Sequence, residues 1–128
     1  MKKILVDTSI WIEYFKGNKS VIETIHNRDN FNYITGPVLT ELIQGIKTQN
    51  EKERFSMCIN ALPKLQISDD DWVNAGNIGN SLRNKGVTVP LPDLIIFSIA
   101  TKNNCALYSL DKHFLIMKEA INADIEII

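Results

Sequence analysis

The stretch Lys3-Ile4-Leu5-Val6-Asp7-Thr8-Ser9 sets the fold class. Three branched apolar residues run into a carboxylate, and two hydroxyls follow. A short apolar run without alternation reads as a strand buried on both faces, as in a parallel sheet covered by helices. Asp7 then falls at the carboxyl end of that strand, the edge at which open α/β sheets place their ligands. The rest of the chain can be searched for further acids that reach the same edge.

Working outward, Thr8 or Ser9 can cap a helix from Ser9 to Lys16, which Gly17-Asn18 ends. Ile10, Trp11, Ile12, Tyr14 and Phe15 make it more apolar than a one-sided surface helix needs. Part of the Trp11, Tyr14 and Phe15 surface is therefore expected to meet another chain. A second helix spans Ser20 to Arg28, and a short strand Tyr33 to Thr35 follows. The helix from Pro37 to about Lys47 carries Val38, Leu39, Leu42, Ile43 and Ile46 on an arc of about 140°, with Glu41 at its border. Gly45 lies on the same side, and a mid-helix glycine suggests that something packs closely there.

Glu51 to Leu62 is a further helix, and Leu65 to Ile67 a weak strand. Ser68 caps the helix that runs to Lys85, and Asp69, Asp70 and Asp71 complement its dipole. Successive helical residues fan apart by about 100°, so these three aspartates cannot converge on a metal and read as a solvated cap. Asp93 opens a helix that is apolar nearly all round, Leu94 to Ala100. Cys105 to Leu110 is a buried strand that Asp111 follows directly, Phe114 to Ala120 a short helix, and Ile125 to Ile128 a terminal strand. Alternating strands and helices predict one α/β domain over residues 1–128, with a parallel sheet of four or five strands and helices on both faces.

Composition narrows the function classes. A net charge of −1 provides no global field for nucleic acid, so such a partner would need local basic patches. Lys47, Arg83, Lys85 and Lys112 are candidates, although exposed lysines are usually plain surface. Cys58 and Cys105 are far apart and form no CxxC, as in a reduced cytoplasmic protein. Asp7 interrupts the apolar start too early for a signal peptide, and no run approaches the ~20 apolar residues of a membrane span.

The acids carry the chemistry. Asp7 and Asp111 each end a strand, and adjacent strands lie about 4.8 Å apart. If these two strands are neighbours, their carboxylates can share a cation. Glu41 and Asp93 sit near the starts of helices that follow extended segments, and in a right-handed crossover those helix starts lie at the same sheet edge. Each acid alone has a plain alternative: a helix cap for Asp7 or Asp93, a turn for Asp111, a rim position for Glu41. Together, four carboxylates at one rim repel unless a cation is present. All-oxygen donors suit Mg²⁺ or Mn²⁺ rather than zinc. Phosphoryl chemistry is the dominant use of such a site. No P-loop or GxGxxG is present.

Leu5-Val6-Asp7-Thr8-Ser9, Glu41 in PVLTELIQGI, Asp93 in LPDLIIFSIA and Asp111 in SLDKHF resemble, in this order and over essentially the whole chain, the PIN-domain ribonucleases. The nearest likeness is to the VapC-type toxins of toxin–antitoxin pairs. The resemblance implies a PIN-like α/β/α fold and an acidic quartet of Asp7, Glu41, Asp93 and Asp111. It also implies a Mg²⁺- or Mn²⁺-dependent endoribonuclease acting on RNA, held inactive by an antitoxin protein; the expectation of a homodimer comes instead from the aromatic surface of Trp11, Tyr14 and Phe15. Asp7 and Asp93 are the expected direct metal ligands, with Glu41 and Asp111 secondary. Ser9 and Ser109 are the expected supporting hydroxyls. Many relatives carry a further acid where this chain has His113, which reads as a loop histidine or a phosphate contact. Two competing readings are a PIN-like binding module without catalysis and a haloacid-dehalogenase-like phosphatase. Ser9 stands where the latter needs a second aspartate, which argues against it.

Overall fold

β1 (Lys2–Val6) lies between two partner strands, and the helices on either side of the sheet bury its Ile4, Leu5 and Val6. A computed structural model describes all residues 1–128. β2 (Asn30–Thr35) pairs with one side of β1, with Leu5 opposite Tyr33; β4 (Ala106–Tyr108) pairs with the other, with Val6 opposite Tyr108. β3 (Lys64–Leu65) joins the outer side of β2. All pairings are parallel, in the order β3-β2-β1-β4. The chain thus builds outward from β1 to β3, then returns to the other side of β1 for β4. The order reverses between β1 and β4, and the crevice at the carboxyl ends of such a pair is the usual ligand site of an open α/β sheet.

Seven helices cover the sheet to give the three-layer α/β/α arrangement. α1 (Thr8–Phe15) packs with α2 (Lys19–His26) and α3 (Gly36–Gln44); α4 (Gln49–Ile59) follows. α5 (Asp69–Asn84), α6 (Leu91–Lys102) and α7 (His113–Ile121) pack on one another. Ile95 to Ala100 of α6 are all buried, as its all-round apolar sequence requires. The core is one cluster of 26 buried residues. No helix is long and apolar enough to cross a membrane.

Several expectations are corrected. Residues Ile125–Ile128 do not form a full strand: a single parallel bridge joins Leu107 to Ile127, held by the Leu107 N–H on the Glu126 carbonyl and the Ile128 N–H on the Leu107 carbonyl. Trp11 is not a partner surface, because it is 0% exposed in the core beside the half-buried Tyr14 and Phe15. The outward apolar residue of α1 is instead Ile12, 45% exposed. Gly45 makes no close approach: it caps the end of α3, and a Cβ there would meet only that helix's own carbonyls at ordinary distance. The tight glycine is Gly79 of α5, where a Cβ would lie 2.9 Å from Leu94 Cδ1 on α6. Asp71 is not solvated. It completes a capping box with Ser68, and its buried carboxylate accepts a bond from Lys102 Nζ at 2.7 Å.

Candidate active site

Asp7 follows β1 directly and occupies the N-cap position of α1, yet its side chain does not cap the helix. Its backbone N–H donates to the Tyr108 carbonyl at 2.9 Å, which extends the β1–β4 ladder and sets Asp7 beside the end of β4. The Asp7 carboxylate is buried, and its Oδ2 accepts from Ser109 Oγ at 2.7 Å and from Ser9 Oγ at 3.1 Å. The two hydroxyls lie 3.3 Å apart. Ser9 Oγ also accepts the Leu110 N–H at 3.0 Å, and Ser109 Oγ accepts the Asp111 N–H at 2.9 Å. Five residues from opposite ends of the chain, Asp7, Ser9, Ser109, Leu110 and Asp111, are thereby clasped together. The carboxylate is held in one orientation by neutral donors, with no lysine or arginine paired to it.

Asp111 accepts the His113 N–H at 2.9 Å, so its turn-forming role is real as well. The same turn places His113 at the start of α7. Its Nδ1 lies 3.0 Å from Asp93 Oδ2 and 3.3 Å from Asp111 Oδ1. Asp93 projects from the first turn of α6, where the helix dipole favours a negative charge. One donor atom each from Asp93, Asp111 and His113 lies within 4.8 Å of the others.

Electrostatics ties Glu41 and Asp7 to this group. Burial pushes the Glu41 carboxyl above the usual carboxylate range, and the charges of Asp7 and Asp93 add to the rise; the nearby Thr8 hydroxyl opposes it. Burial likewise raises Asp93, reinforced by Asp111 and Asp7 and opposed by a hydrogen bond to His113. Such mutual repulsion requires the acids to share one neighbourhood. None of the four forms an ion pair with lysine or arginine; the His113 ring is the side chain that pairs with two of them, Asp93 and Asp111. A set of carboxylate oxygens plus one imidazole nitrogen fits a divalent cation such as Mg²⁺ or Mn²⁺.

A groove of about 420 Å³ opens beside Glu41. Thr8 and Phe15 line it, with three cations, Lys16, Lys47 and Arg54, against two acids, Glu41 and Glu51. Of the cations singled out in the sequence, only Lys47 is here. Arg83 borders a separate hollow between α5 and the segment leading to α6, Lys85 is tied to the Ala120 carbonyl, and Lys112 precedes α7. Lys16, Arg54 and Thr8 meet here only through the packing of α1, α3 and α4, which leaves no mark in the local sequence pattern.

The sequence model of the PIN domain matches residues 4–120. Ribonuclease VapC3 of Methanocaldococcus jannaschii is 38% identical over 96 residues, covering 74% of this chain and 95% of that protein. The chain belongs to the PIN-domain family. Ribonuclease VapC11 of Mycobacterium tuberculosis is 25% identical over 126 residues, covering 93% of this PIN domain and 94% of the relative. The DNA-bound VapBC structure from Salmonella typhimurium shares the fold with a TM-score of 0.82 at 23% identity, covering 100% of this PIN domain and 98% of that chain.

Proposed function

We propose that this PIN domain is a VapC-type endoribonuclease, the toxin of a toxin–antitoxin pair in the cytoplasm, and that the whole chain acts as one nuclease domain. The observation that carries the reading is the acidic rim at the β1–β4 reversal: a buried, doubly hydrogen-bonded Asp7 among acids whose repulsion no lysine or arginine relieves. Unrelieved like charge is costly as structure alone and is explained by a site built to bind a cation. Asp7 and Asp93 would hold Mg²⁺ or Mn²⁺, with Glu41 and Asp111 adjusting the charge. When bound, the ion supplies positive charge to the phosphodiester and acidifies the attacking water. Ser9 and Ser109 keep the Asp7 carboxylate oriented, so no reorganisation is needed as phosphate charge develops. Glu41, with its raised pKa at the mouth of the groove, is suited to take the proton of the attacking water on a carboxylate oxygen. Lys16, Lys47 and Arg54 offer charge to the RNA backbone. The partners are an antitoxin protein, in line with the VapBC structure that contains a chain of this fold, and a second copy of the chain.

The test is Asp7→Asn, which preserves size and hydroxyl contacts while removing one charge. It should abolish RNA cleavage and reduce the Mn²⁺-dependent rise in melting temperature. Wild-type cleavage by the variant, or a wild type with neither metal-dependent cleavage nor a metal-dependent melt, would refute the nuclease reading in favour of a non-catalytic binding module.

A further inference from the structure

His113 stands where the acidic pattern of the family would place another carboxylate. Its position is not that of a free loop side chain. The His113 N–H is anchored on Asp111 Oδ1 at 2.9 Å, which fixes the start of α7. The ring then brings Nδ1 to 3.0 Å from Asp93 Oδ2 and 3.3 Å from Asp111 Oδ1. Nδ1 therefore faces two carboxylates that come from different elements. The chain's other imidazole is engaged elsewhere, with His26 Nε2 2.7 Å from the Tyr14 hydroxyl. One nitrogen donor thus belongs to this rim.

We infer that His113 is a direct nitrogen ligand of the cation at this site, through Nδ1, and that it biases the site toward Mn²⁺ over Mg²⁺. The inference rests on the metal-dependent reading proposed above. A site of carboxylates and water suits both ions, whereas an imidazole ligand favours Mn²⁺, because Mg²⁺ is the harder ion. A ligating His113 is neutral, with the lone pair on Nδ1 and the proton on Nε2. Its 46% exposed side chain leaves the ring room to make that exchange with water. The rival role is charge balance alone: the ring donates a hydrogen bond to Asp93 without the ion and withdraws when the ion arrives. The two roles predict different spectra.

The probe is Mn²⁺ itself, added to the full chain and read by electron spin-echo envelope modulation. Wild type should show a nitrogen modulation on bound Mn²⁺, and its frequencies should change when the protein carries ¹⁵N-histidine. His113→Ala should lose it, while His26→Ala should retain it. By calorimetry, His113→Ala should weaken Mn²⁺ binding by about tenfold or more and Mg²⁺ binding far less. His113→Asp should recover much of the Mn²⁺ affinity that His113→Ala loses, without the nitrogen signal. Bound Mn²⁺ with no nitrogen modulation, in a wild type whose binding is still lost in Asp7→Asn, overturns the role of His113 and leaves the metal site standing. Absence of Mn²⁺ binding altogether overturns both.

Discussion

Removing one hydroxyl tests how this site is held together. Ser109 Oγ donates to Asp7 Oδ2 at 2.7 Å and accepts the Asp111 N–H at 2.9 Å, so it links two acids of the rim. Ser109→Ala deletes both bonds and leaves Asp7 with Ser9 alone at 3.1 Å. A hydrogen bond to a charged group contributes about 1.5–3 kcal/mol, and one between neutral groups about 0.5–1.5 kcal/mol. The part-buried setting lets water replace some of the second, which gives a loss of roughly 2–4 kcal/mol. In a chain of this length that corresponds to a fall in melting temperature of roughly 8–15 °C. Ser109→Thr keeps the hydroxyl and should recover most of the loss. Because Ser9 and Ser109 share Asp7 Oδ2, the double alanine variant should depart from additivity. Both acids are positioned through Ser109, so metal affinity should also drop about 10–100-fold. The assay is a set of thermal melts in chelator, then a Mn²⁺ titration of the same proteins. A Ser109→Ala melt within about 2 °C of wild type, or a threonine variant no better than alanine, would refute the clasp as the organising contact.

Glu41 and Asp93 have raised carboxyl pKa values, so the folded state binds their protons more tightly than the unfolded chain does. The metal-free protein should therefore gain stability as pH falls from above their folded-state pKa values toward the ordinary carboxylate range. Glu41→Gln should flatten that part of a pH series of melts; an unchanged slope would refute the coupling. Asp71 has the opposite sign, since Lys102 and Ser68 hold its carboxyl below the usual range. Its contribution is present above the ordinary carboxylate range and is lost as pH falls through the lowered value, and Asp71→Asn should abolish that dependence. On α5, Gly76→Ala has nothing within 4 Å of the new methyl group and should stabilise by about 1 kcal/mol. Gly79→Ala should gain clearly less in urea melts, because Leu94 Cδ1 lies 2.9 Å from its Cβ position. Equal gains would mean that α5 and α6 are less tightly packed than described.

The run Ile4-Leu5-Val6 before Asp7 determined a buried parallel strand with an acid at its end, because burial on both faces leaves no alternation in the sequence. The apolar surround of α6 likewise announced a central helix with Asp93 in its first turn. Such features are local, set by the period of a helix or strand. What the sequence could pose only as a condition was whether the ends of β1 and β4 are neighbours, since pairing across about a hundred residues depends on the sheet order. The Ser9–Ser109 clasp, the His113 ring beside Asp93, and the gathering of Lys16, Lys47 and Arg54 in one groove depend on that order and on helix packing. The burial of Asp71 and Trp11 was likewise decided by partners distant in sequence or by the depth of the core, neither of which leaves a mark in the local pattern.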